Sequence, residues 1–121
     1  MKNLKYCIFS CLFLLLISCS AGGLEIVNDE EIKLVQRGTY VIKGSEGDVE
    51  LMIGDITEGI TEVEIQGIEN EKFYYRKAMK EGEDDEFEYE GHHYRIKLNY
   101  FEEHLLHDDF AFFSFRAVEK K

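Results

Sequence analysis

From Thr39 to Val118, apolar and polar residues alternate with a period of two, in short runs separated by glycine, and the chain contains no proline. That period puts successive side chains on opposite sides of the backbone. It suits a half-buried β-strand and conflicts with the 3.6-residue repeat of an amphipathic helix. Val49, Leu51 and Ile53 alternate with Asp48, Glu50 and Met52, and Val63 and Ile65 with Glu62, Glu64 and Gln66. Phe87 and Tyr89 alternate with Glu86, Glu88 and Glu90, and Tyr94, Ile96, Leu98 and Tyr100 with Arg95, Lys97 and Asn99. Residues 39–42, the aromatic run 73–75 and the β-rich run 111–118, with Phe112, Phe113 and Phe115, supply further strands. Glycines such as Gly44, Gly54, Gly67 and Gly91 fall between or at the ends of the runs.

No segment carries a long helical repeat. Residues 77–80 and 101–106 leave room for a turn of helix each. The pattern therefore predicts an all-β chain, a single small antiparallel β-sandwich or barrel of about six to eight short strands. Residues 47–53 and 91–98 echo each other, each running from glycine into an alternating strand that a second β-rich run follows. Chance and two related hairpin units are both compatible with that echo.

Charge narrows the partners. The 25 acidic residues outnumber the 14 basic ones, for a formal charge of −11. Phosphate contacts need clustered Lys and Arg, so nucleic acid is not an expected ligand. A basic protein or a cation is the natural complement, although acidity also serves plain solubility.

The N-terminus differs from the rest. Lys2 and Lys5 precede an apolar core of about ten residues ending at Ile17, too short for a permanent span of a bilayer core about 30 Å thick. Leu16-Ile17-Ser18-Cys19 follows at once. Leu, a small residue and Cys in this order resemble the lipobox of bacterial lipoprotein precursors, and the resemblance covers residues 1–20. It implies that residues 1–18 are a signal peptide removed on export and that Cys19 becomes the lipidated N-terminus. It further implies a lipid-anchored place in the cell envelope. Ser20, which is not the Asp of inner-membrane retention, implies the outer membrane facing the periplasm in a Gram-negative host. Residues 19–28 are then the lipidated terminus and short tether, and 29–121 the acidic β-domain, its packing expected to begin between Glu25 and Ile32. Loss of Lys2 and Lys5 takes the charge to −13. Of the three cysteines, Cys7 and Cys11 leave with the leader, so core packing without a disulfide must hold the fold.

Few residues suggest chemistry. His104-Leu105-Leu106-His107 places two histidines three apart, a spacing that could grip a metal on a helix, but the glutamate of H-E-x-x-H is missing and Leu105-Leu106 reads as a core contact. No metal and no cofactor is expected. Gly44-Ser45-Glu46-Gly47 is turn chemistry rather than a nucleophile elbow, and no catalytic residue is assigned. The acidic run offers the main candidate surface: Glu83, Asp84, Asp85, Glu86 and Glu88 read either as a solvated hairpin leading into a strand or as a docking face for a basic protein. Arg76, Lys77 and Lys80 form a basic cluster just before it. The expectation is a non-enzymatic, protein-binding lipoprotein, an immunity or inhibitor protein against a basic enzyme or toxin. The alternative is an accessory structural subunit of an outer-membrane or secretion assembly.

Overall fold

Tight turns convert the alternating runs into hairpins. At Glu58-Gly59 (φ 54° and 77°) and Glu90-Gly91 (φ 44° and 86°) both central residues have positive φ. That is the geometry of the type I′ turn, whose twist matches paired strands. The computed structural model describes residues 22–118; the leader, the cleavage point and Cys19 lie outside them. The described residues form eight strands: β1 (Glu31–Val35), β2 (Thr39–Ile42), β3 (Val49–Ile53), β4 (Ile60–Gly67), β5 (Phe73–Lys80), β6 (Asp84–Tyr89), β7 (His92–Glu102) and β8 (Phe110–Val118). They pair antiparallel in two four-stranded sheets, β2-β3-β4-β5 and β1-β8-β7-β6. The chain is thus a meander folded flat on itself. Its β1-to-β2 and β5-to-β6 steps carry no strand pairing, which makes it a sandwich and not a closed barrel.

The period of two fills the interior. Leu51, Val63, Ile65, Ile96, Leu98, Ala111 and Phe113 are wholly buried, while the residues between them face solvent. Each large apolar side chain removed from water stabilises the fold by about 1.5–3 kcal/mol. Phe87 stacks on Tyr94 at 5.6 Å and meets the edge of Phe115 at 6.1 Å, so these rings fill the core. Buried Tyr89 has its hydroxyl satisfied: it accepts the Glu46 N–H at 2.8 Å and donates to the Gly47 carbonyl at 3.0 Å, pinning the β2–β3 turn. The two echoing segments lie in β3 and β7, and the hairpins they open, β3–β4 and β7–β8, form the central pair of each sheet.

Packing begins earlier than the sequence suggests. Leu24 is buried, and its N–H donates to the Tyr94 hydroxyl at 2.7 Å. Ser45 N–H reaches the Gly23 carbonyl and Glu25 N–H the Lys43 carbonyl, so residues 23–25 prolong one sheet beyond the end of β2. Asp29 N–H then reaches the Phe115 carbonyl of the other sheet, and the chain itself closes that side of the sandwich. Leu24, Ile26 and Val27 are the few apolar residues between a small stretch, 20–23, and an acidic one, 28–31, which is why this part reads as tether.

Local expectations fail at three further places. Residues 77–80 are not helical; they end β5 and pair with β4. Residues 101–106 are not helical either: Phe101 and Glu102 end β7, and a loop follows. Runs this short cannot meet the cost of nucleating a helix when a neighbouring strand offers backbone partners. Finally, Tyr100 does not share the buried face of Leu98. A bulge at Asn99 leaves one residue unpaired between Leu98↔Phe113 and Tyr100↔Phe112, which turns Tyr100 outward and Phe101 inward.

Candidate functional site

The acidic run lies at and along β6, an edge strand, and the pleat divides it. Asp84, Glu86 and Glu88 face solvent, whereas Asp85 turns toward the seam between β5 and β6. Arg95 of β7 reaches both Asp84 (3.2 Å) and Glu86 (3.0 Å). Glu88 stands opposite His93 in the ladder. Glu83 accepts the Lys80 N–H at 3.0 Å and so serves the β5–β6 turn. The structure thus brings three of the five predicted residues onto one face, with an arginine among them, and gives Glu83 and Asp85 structural work.

Asp85 staples the two sheets where no strand pairing joins them. It accepts the Tyr75 hydroxyl at 3.0 Å and lies 3.3 Å from Lys77 Nζ. Partial burial pushes its carboxyl up. The Glu86 N–H, the Tyr75 hydroxyl and Lys77 together outweigh that and hold it below the usual carboxylate range. Burial first, and then the bond to Asp85, push the Tyr75 hydroxyl well above its ordinary value. Of the basic cluster, Lys77 is therefore matched to the acidic run, while Arg76 pairs with Glu64 at 3.0 Å on the outer face of the other sheet.

Two shallow recesses flank these features. One, of about 300 Å³, opens above Gly54 between Arg37, Met52, Glu62 and Glu64. The other, of about 440 Å³, lies where β5 and β6 diverge, between Phe73, Tyr74, Glu88 and Glu90. Both are lined by two carboxylates and one cation, Arg37 in the first and Lys72 in the second.

The β7–β8 loop overturns another expectation. Leu105 and Leu106 are not core contacts: they are 101% and 90% exposed. The loop closes on itself through the His104 N–H donating to Asp109 Oδ1 at 2.8 Å. The His104 and His107 rings sit 5.8 Å apart, and His104 Nε2 is 3.7 Å from Glu102. Among the described residues no three His, Cys, Asp or Glu side chains converge to hold a metal ion.

Behind the loop, on the outer face, Tyr100 stacks on Phe112 at 4.5 Å and Lys33 lies 4.3 Å from the Phe110 ring centroid. In the sequence, Tyr74, Tyr75, Tyr94, Tyr100 and Phe110 to Phe115 read as core or as the lining of a ligand groove; Tyr94, Phe113 and Phe115 are core, while Tyr100, Phe110 and Phe112 form this outer shelf. The signal was there: Phe110, Phe112, Phe113 and Phe115 occupy both parities of one strand, so a sheet covered on one side must expose one pair.

Neither the family models, nor the curated proteins, nor the solved structures compared with this chain give a match.

Proposed function

We propose that this chain is a lipid-anchored protein of the cell envelope that works by binding another protein, as an immunity or inhibitor protein against a basic envelope-targeting enzyme or toxin. The observation that carries the reading is the joining of Leu16-Ile17-Ser18-Cys19 to a domain whose formal charge after cleavage is −13. The anchor concentrates the domain at a surface. A charge of that size attracts basic proteins, speeds their encounter and repels anionic lipid and nucleic acid. Asp84, Glu86 and Glu88 on the solvent face of β6 support it.

Two measurements test the reading. Cys19→Ser should abolish incorporation of labelled palmitate and leave residues 1–18 uncleaved; label and cleavage that both persist would remove the anchor. Affinity purification of the full protein from envelope extracts should recover a basic protein at roughly 50 mM salt and lose it at roughly 500 mM. Recovery of no partner at low salt would overturn the binding function. A partner from a resident secretion or outer-membrane complex, instead of an incoming effector, would make the chain an accessory subunit.

A further inference from the structure

The turns divide between the two ends of the sandwich. Residues 22–25 join the domain beside Gly44 and Tyr94, near the start of β7. The 103–109 loop lies at the other end of that strand. From Tyr94 to Glu102 at ~3.3 Å per residue is roughly 27 Å. The end opposite the chain's point of attachment therefore carries the most exposed apolar side chains of the described domain, Leu105 and Leu106. An aromatic shelf adjoins the base of the same loop: His104, next to Leu105 in the chain, meets the edge of Phe110 at 6.0 Å, and Tyr100, stacked on Phe112, is 43% exposed. Carboxylates flank the tip along the chain, Glu102 and Glu103 before it and Asp108 and Asp109 after it; Asp109 accepts the His104 N–H, and Glu102 lies 3.8 Å from Lys33, the one cation over the Phe110 ring among the described residues.

We propose that the Leu105-Leu106 tip, with the Phe110, Phe112 and Tyr100 shelf behind it, is the surface that docks a protein partner whose apolar recess is edged by lysine and arginine. The inference rests on the protein-binding reading above and names its surface. Charge complementarity selects the occupant. A second copy would set carboxylate rim against carboxylate rim, and an anionic bilayer would meet the same repulsion, whereas a basic edge is drawn to it. An apolar centre within a charged rim is the usual anatomy of a protein interface: the centre supplies affinity and the rim supplies encounter rate and selectivity.

The test places a photo-crosslinking benzophenone amino acid at position 106, at 88 on the β6 face or at 41 on the other sheet, in the full lipidated protein inside its native cells. The expected result is one dominant product from position 106. Mass spectrometry should identify its partner as a protein with Lys and Arg around an apolar recess, and Leu105→Ser with Leu106→Ser in the crosslinker-free protein should reduce co-purification of that partner by at least about ten-fold. Neither leucine is buried, so the double variant should keep the wild-type circular dichroism and Tm, which separates lost docking from lost folding. Capture of such a partner at 88 or 41 but not at 106 would overturn this surface and leave the binding function standing. Capture at no position would overturn both. Self-linked dimers or lipid adducts at 106 would overturn the basic protein as occupant.

Discussion

Glu58 shows how one residue can work against a turn it occupies. The turn is a regular two-residue hairpin, with mutual backbone hydrogen bonds between Thr57 and Ile60 at 3.0 and 3.1 Å. Its first central position nevertheless demands a positive φ of 54°, where a side chain crowds the backbone and asparagine is tolerated better than glutamate. Glu58→Asn should therefore stabilise the protein by about 0.5–1 kcal/mol, seen as a rise in the urea midpoint with unchanged slope. Tyr94 makes the opposite case. Its hydroxyl is the acceptor for the buried Leu24 N–H. Tyr94→Phe keeps the ring in the core but strands that donor, and should cost about 1–3 kcal/mol. Hydrogen exchange should show residues 23–25 opening first; equal protection there in both proteins would mean that the bond does not hold the segment.

Strands were the most legible elements, because alternation of apolar and polar residues is itself the physical cause of a half-buried strand. The bulges at Asn99 and beside Tyr74 were not legible, since one inserted residue leaves no trace in hydrophobicity yet reverses every side chain beyond it. Sandwich and barrel were indistinguishable for a related reason: the choice depends on two seams, and their partners lie in different strands. At the β5–β6 seam the staple is Asp85 with Tyr75 and Lys77. Of the candidate surface, the acidic run was legible as composition, but its division between solvent and seam required the pleat. The staple should give the seam a working pH window. A carboxyl held below its ordinary value contributes stability above about pH 4 and loses it as pH falls through the folded-state value. A tyrosine raised above its ordinary value contributes stability below about pH 10 and loses it as pH rises toward the folded-state value. The stability difference between wild type and Asp85→Asn should thus be constant from about pH 5 to 9 and shrink toward zero in acid. A difference that stayed constant into acid would show that the carboxylate's charge plays no part in joining the sheets.

At the scale of the whole molecule, attractive ion pairs compete with a large excess of negative charge. Pairs such as Arg95 with Asp84 and Glu86, or Arg76 with Glu64, are half open to water, and exposed pairs of this kind contribute about 0–1 kcal/mol. The net charge of −11 acts over the entire chain instead, and it repels itself more strongly as the chain becomes compact. Added salt weakens both effects, shortening the screening length from about 30 Å at 0.01 M to about 10 Å at 0.1 M. That change spans the width of a sandwich two sheets thick, with the sheets about 10 Å apart, so the long-range repulsion is screened much more than the contacts at 3 Å. A chain beginning at Ser20, without leader or lipid, should therefore gain a few degrees in Tm between about 10 and 200 mM sodium chloride, measured by calorimetry at neutral pH. A fall in Tm over the same range would show that the ion pairs outweigh the repulsion. The acidity would then contribute to holding the fold as well as to attracting a partner.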